Sequence, residues 1–306
     1  LPLARDKLFL LASSKDALEV AHKGLAPLGF QADKSIKQLG VTYSAGVASK
    51  NNATNGRISA FGKRMGKVVQ IAKARASIGQ RIFRDGGIPS MLHAAAVRGI
   101  NNTQLDSATT MAHRCVSLKG NPTSPTASLL LAPTRHLHPA FKAHVDPILH
   151  WSRAVYNSRY AMGEMHALIR DARAKGFQLA KRAWARVANP AQALVATAAR
   201  IGWKVMSAFH VITTAGKDLD LRTTPGPTIQ KLVEQDVESW LWRDLSKRHL
   251  QQDMYTPWSV VGHSVYLAEL RKLCNCTPTD AWDRDLQRYL RSASSGGQWP
   301  QKRVFG

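Results

Sequence analysis

The 306-residue sequence predicts a mainly α fold with a small α/β unit at its N-terminus, two strands and a helix, and one β-hairpin near residues 209–222. Three observations carry this expectation. Short apolar or β-rich runs bounded by turn residues stand before residue 45 and around 209–222, and nearly everywhere else apolar residues recur at helical spacing. Gly and Pro mostly fall between the periodic stretches, where they punctuate helices. Hydrophobic residues make up 44% of the chain, enough for a buried core, yet no apolar run approaches the roughly 18 residues that would span a bilayer.

In chain order, Lys7–Ser13 reads as a short buried strand. Ser13 or Ser14 then caps a helix carrying Ala17, Leu18, Ala21 and Leu25, which ends near Gly29. Ile36–Tyr43 is β-rich and reads as the second strand. Ser44–Gly56 lacks periodicity and reads as a linker or mobile loop.

From Arg57 to Arg84, the residues Ile58, Phe61, Met65, Val68, Val69, Ala72 and Ala76 fall on one side of a helix at about 100° per residue. Lys63, Arg64, Lys67 and Arg75 project from the other side. Gly62, Gly66 and Gly79 each cost about 1 kcal/mol against Ala, so this helix needs tertiary packing. Gly86-Gly87 is expected to stop it, Pro89 to open a helix running to about Gly99, and Asn102–Val116 to form a third. Lys119–Ser128, with two prolines among Ser and Thr, is the expected domain boundary.

Beyond it, Asp146–Asn157, Arg159–Lys175 and Phe177–Val187 read as helices anchored by Trp151 and Trp184, and Asn189-Pro190 caps a helix ending at Gly202. Phe209–Thr213 and Asp218–Arg222 flank Ala215-Gly216 as the hairpin. Ile229, Leu232, Val233, Val237, Trp240, Leu241 and Leu245 mark the clearest amphipathic helix, and two more are expected at Ser259–Leu273 and Thr279–Ser292. The organisation is thus a strand–helix–strand unit over 1–45, a basic helical domain over 57–118 and a helical extension over 129–306.

Charge points to the partner. Forty-three Lys and Arg stand against 20 Asp and Glu, a net charge of +23, and such self-repulsion is most simply explained by a polyanionic partner. The surplus is uneven: residues 51–100 carry nine Lys/Arg and one acid, residues 151–200 nine and two, and residues 201–250 seven and six. The helix at 57–84 is therefore the candidate phosphate track, with Arg57, Lys63, Arg64, Lys67, Lys73, Arg75, Arg81 and Arg84 as its nucleic-acid-binding residues. A helix face that was merely solvated would carry Glu–Lys pairs at i,i+4, and this one lacks them.

Other chemistry finds little support. His136, His138, His144 and His150 crowd one segment without Cys or paired-His spacing, so they read as loop and helix-face histidines and no metal site is assigned. Cys274-Asn-Cys276 is not a Cys-x-x-Cys pair, and the sparse cysteines suggest a reducing, intracellular setting, nucleus or cytoplasm. The acids Asp218, Asp220, Glu234, Asp236, Glu238 and Asp244 read as a partly solvated face pairing with Lys231 and Arg243. No phosphate loop or nucleophile elbow is present.

The first 120 residues resemble the end of a reverse transcriptase of non-LTR retrotransposon type. The resemblance rests on the ordered series Leu1-Pro-Leu-Ala-Arg-Asp-Lys7, the 14–28 helix, Gln38-Leu39-Gly40-Val41, the basic helical segment and Gly86-Gly87-Ile88-Pro89. His93-Ala94 stands where that family usually has Tyr-Gly. Downstream, Asp146-Pro147-Ile148, Trp151, Ile201-Gly202-Trp203, Asp218-Leu-Asp-Leu and Trp240-x-Trp242 look like the helical extension some of these polymerases carry.

The resemblance implies a palm end, a thumb and an extension of an RNA-directed DNA polymerase. Lys7 would then be the lysine aiding pyrophosphate departure, catalytic only with an upstream palm, and Leu39, Gly40 and Val41 the primer-side strand. The catalytic aspartate turn would precede Leu1, so the chain is expected to be a piece of something longer, with no catalytic centre of its own. No cofactor is expected here, a divalent metal only with the missing palm. The expected partners are RNA or DNA as a primer–template duplex and the upstream palm and fingers of the same polyprotein, with no membrane. The alternative is a free-standing basic helical module that binds RNA or ribonucleoprotein.

Overall fold

The computed structural model describes residues 9–10, 15–32, 35–38, 41–44, 52–116, 124–131, 135–157, 161–175, 184 and 187–251, with short helical pieces at 272–273, 285–287 and 289–290. The chain is mainly α with small β elements, as its periodicity predicts. Most of the residues expected in the helices at 177–187, 259–273 and 279–292 lie outside the described residues.

The N-terminal unit has more strands than expected. Strand β1 (Phe9–Leu10), helix α1 (Lys15–Leu25) and strand β2 (Gln31–Ala32) form a parallel strand–helix–strand unit. A short 3₁₀ turn ends at Gly29, whose φ of 86° is the left-handed cap that glycine provides without strain. The single strand expected at 36–43 is instead an antiparallel pair, β3 (Ser35–Gln38) and β4 (Val41–Ser44), in register from Ser35–Ser44 to Gln38–Val41. Folding back satisfies backbone groups that one isolated strand would leave unpaired.

Helix α2 runs from Asn52 to Ala74, five residues earlier than the linker reading placed its start. Asn55 explains the gain: its Oδ1 accepts from Gln104 Nε2 at 2.7 Å and ties this end to a later helix. The helix breaks at Arg75, in extended conformation, before α3 (Ala76–Ile82). Gly86-Gly87 does not stop the run. Residues Phe83–Gly87 form one π-helical turn that leads straight into α4 (Ile88–Leu92) and, after a turn, α5 (Ala95–Arg98).

Close approach explains Gly87: a Cβ there would lie 2.8 Å from the Phe61 ring and 2.9 Å from that of Phe83. Phe83 is fully buried, worth about 1.5–3 kcal/mol, more than the roughly 1 kcal/mol propensity cost of each glycine. Gly99 (φ 62°) sits against the Trp184 ring and has no room for a side chain.

Helix α6 (Asn102–Val116) keeps the bounds its pattern predicts. Its start is a reciprocal capping pair: Gln104 N donates to Asn101 Oδ1 (2.8 Å) and Asn101 N to Gln104 Oε1 (3.2 Å). The stretch read as a domain boundary contains the start of α7 (Pro125–Leu131), whose leucines are buried. One hydrophobic cluster extends from Ile58 to Leu245, so the basic helices and the extension share a core.

Helix α8 (Pro139–Tyr156) begins seven residues before the expected Asp146, and Pro147 lies inside it. An interior proline costs about 3 kcal/mol, offset here by burial of Ile148, Leu149 and Trp151 along the same helix. Trp151 Nε1 donates to the Ala208 carbonyl at 2.9 Å, the anchor expected of it. Helix α9 (Met162–Ala174) follows. Helix α10 (Pro190–Ile201) is capped by Asn189, which accepts from Gln192 N at 2.9 Å, and ends at left-handed Gly202.

The hairpin β6 (His210–Ile212) and β7 (Asp218–Asp220) gains a third antiparallel strand, β5 (Lys204–Val205). Helix α11 (Gly226–Gln251) closes the described core against α8, with Ile229, Val233, Val237 and Leu241 buried.

Candidate nucleic-acid interface

The apolar stripe of α2 decides which way its charges point. Ile58, Phe61, Val68 and Ala72 are buried, and Met65 packs on the core. Phe61 meets Phe83 edge to face with ring centroids 5.8 Å apart. Val69 is half-buried and Ala76, beyond the break at Arg75, is exposed. Gly79 lets α3 lie directly on α2, since a Cβ there would sit against Ala72, 2.8 Å from its Cα.

The eight expected phosphate-binding residues separate into three groups. Lys63, Arg64, Lys67, Lys73 and Arg75 are exposed, and among the described residues none has a carboxylate within ion-pair distance. Arg81 and Arg84 are exposed but converge on Asp85, with nitrogen–oxygen distances of 3.7 and 2.8 Å. The hydrogen bond from Arg84 holds the Asp85 carboxyl below the usual carboxylate range. Arg57 is half-buried at the edge of the apolar stripe, and that burial lowers its guanidinium pKa. The first group is the candidate contact surface.

Lys63 to Lys73 covers about 15 Å of helix axis, comparable to about four phosphates along one strand of a duplex. Ile71 and Ile78 are partly exposed beside these cations, and no aromatic side chain stands on this outward face of α2 and α3. The surface can hold a backbone by charge and offers no platform on which bases would stack.

The other expected site residues are not gathered here. Lys7, Leu39 and Gly40 lie outside the described residues, and Val41 is buried in β4. His93, in the turn between α4 and α5, is exposed. Among the described residues no three His, Cys, Asp or Glu side chains converge as ligands for a metal ion, and no helix is long and apolar enough to cross a membrane. Cys115 is buried, and burial pushes its thiol up to about 11, away from thiolate reactivity.

The acids of α11 correct the solvated-face reading. Glu238 pairs with Arg135 (2.9 Å), Asp236 accepts from the buried Trp203 indole, and Glu234 accepts from Gln230 (2.7 Å). Arg243, expected to pair with these acids, is half-buried and reaches the Ser239 carbonyl at 3.4 Å, whereas Lys231 is exposed. These charges serve the fold, and the sequence gives no hint of the distant partners Arg135 and Trp203.

A second polar constellation also escaped the sequence. Arg200 lies 3.9 Å over the Trp184 ring, donates to Ile100 O (2.9 Å) and Asn102 Oδ1 (2.8 Å), and burial lowers it to about 9. His138 and His144 are buried rather than lying in a loop or on an open helix face. The His138-Pro139 pair was the available signal, a polar residue followed by proline at a helix start. No family model, no curated protein and no solved structure matches this chain.

Proposed function

We propose that this chain binds the sugar–phosphate backbone of a nucleic-acid duplex through the outward face of α2 and Arg75, as the thumb-like part of an RNA-directed DNA polymerase of retroelement type. The observation that carries the reading is the set of five exposed cations, Lys63, Arg64, Lys67 and Lys73 on a helix whose opposite side is buried and Arg75 at the break just beyond it. A one-signed face held rigidly by a core is suited to phosphates and tolerant of sequence. In this reading the partners are a primer–template duplex and an upstream palm and fingers, and Lys7 acts only when that palm is joined to it. Its place is the nucleus or cytoplasm.

Salt dependence tests the binding. With about five phosphate contacts, the slope of log K against log salt is about −4.5, so a fourfold rise in salt weakens duplex binding roughly 500-fold. Replacing Lys63, Arg64, Lys67 and Arg75 together by Gln flattens that slope by about three to four units while the circular dichroism spectrum stays unchanged. An unaltered slope in the folded variant overturns the reading. An in-frame Phe/Tyr-x-Asp-Asp turn upstream in the gene supports the polymerase assignment. Its absence favours the free-standing RNA-binding module, which would use the same face.

A further inference from the structure

We propose that the N-terminus of α8 is an acid-operated latch, in which proton uptake by His138 breaks the bond that caps the first turn of this helix between α6 and α11, and the opening lets the buried His144 take up a proton in turn. Both imidazoles are buried, 1% and 0% exposed, and both are bonded to the backbone of one residue, Ala140. Ala140 N donates to His138 Nδ1 at 3.1 Å, so that nitrogen is bare and the ring proton sits on Nε2. Ala140 O faces His144 Nδ1 at 2.6 Å, and because a carbonyl only accepts, this ring carries its proton on Nδ1. The two histidines are thus locked as opposite neutral tautomers across Ala140. A protonated His138 has no lone pair with which to cap the helix, so the cap and the proton exclude one another.

The surroundings hold the rings neutral. The two Nε2 atoms are buried without a hydrogen-bond partner among the described residues. Charges facing the pair come from several elements. Arg200 of α10 opposes a charge on His144, and the positive end of α8 opposes one on its N-cap His138. Asp106 of α6 and Asp244 of α11 line, with His138, Leu105 and Leu241, a small cavity of mixed polar and apolar lining and about 10 Å³.

Further along α6 stand His113, half-buried, and Arg114, exposed. Arg98 of α5 is turned to the Ala188 carbonyl (3.2 Å), and α4 and α7 carry no titratable side chain. On α8 itself Lys142 is paired with Asp146 at 2.9 Å, and Arg135 before it with Glu238. Burial lowers both histidines from the usual 6.5 to about 3. Since the folded value lies below the unfolded one, the stability they contribute is complete above pH 6.5 and is lost progressively as the pH falls toward about 3.

The test uses the whole chain. At pH 7, long-range proton–nitrogen NMR is expected to show His138 protonated on Nε2 and His144 on Nδ1, and the Ala140 amide protected from exchange. Lowering the pH from 8 to 3 is expected to release that amide, the open state binding about two protons more than the closed one. His138→Asn supplies a cap that does not titrate, so its transition should take up one proton fewer and move to lower pH. His144→Gln, added to it, should remove the remaining histidine proton. Matching tautomers in the wild type, an Ala140 amide that stays protected to pH 3, or an undiminished proton count in His138→Asn would each overturn the latch.

Discussion

Helices α2 and α11 are the two longest among the described residues, and both bury one apolar stripe in the same core, yet they dispose of their charges in opposite ways. On α11 the carboxylates are enlisted by the fold, with Glu238 holding Arg135 and Asp236 the Trp203 indole. On α2 there is no carboxylate at all, and the lysines and Arg64 face outward without an ion-pair partner among the described residues. An amphipathic pattern therefore shows where a helix docks and says nothing of what its polar side is for. The sign and the partners of that side decide.

The largest expected effect lies on the cationic side. Each lysine or arginine on the outward face of α2 should carry about one unit of the salt slope, whereas Lys231→Gln on α11 should leave duplex affinity unchanged at every salt concentration. If Lys231→Gln and Lys67→Gln flatten the slope equally, binding follows net charge alone and the distinction between the two helices fails.

On the buried side the helices should behave alike. Phe61→Ala on α2 is expected to cost about 3–5 kcal/mol and Leu241→Ala on α11 about 2–5 kcal/mol, read as a lowered urea midpoint. A loss below about 1 kcal/mol for Phe61→Ala would mean that α2 is not docked through this stripe.

Smaller effects come from the glycines of the basic helices. Gly87→Ala should cost about 1–3 kcal/mol, because the new methyl meets the Phe61 and Phe83 rings. Gly66→Ala has open space and should stabilise the protein by about 1 kcal/mol, raising the thermal midpoint by a few degrees while leaving the salt slope intact.

Much of this was legible in the residues because it is local. Asn189-Pro190 and Gly202 bound their helix as caps do, and α6 runs from Asn102 to Val116 as its apolar spacing requires. The division of Ile58, Phe61, Val68 and Ala72 from Lys63, Arg64 and Lys67 follows from helical periodicity alone. The candidate surface was legible for the same reason. Arg57 is the instructive exception. Its position by rotation falls beside the buried stripe, and only the neighbouring elements determine that its guanidinium is partly covered.

Sequence by itself determined the helical class, the places where caps act and the sign of the charge on the face of α2. Only the tertiary structure decided that the chain runs on through Gly86-Gly87 and Pro147, breaks at Arg75, and shares one core from Ile58 to Leu245. It also decided that His138 and His144 are buried and that the acids of α11 are occupied. The reason is one of magnitude and range: glycine propensities and caps are local terms of about 1 kcal/mol, whereas burying Phe83, Ile148 or Trp203 gains as much or more through neighbours distant in sequence.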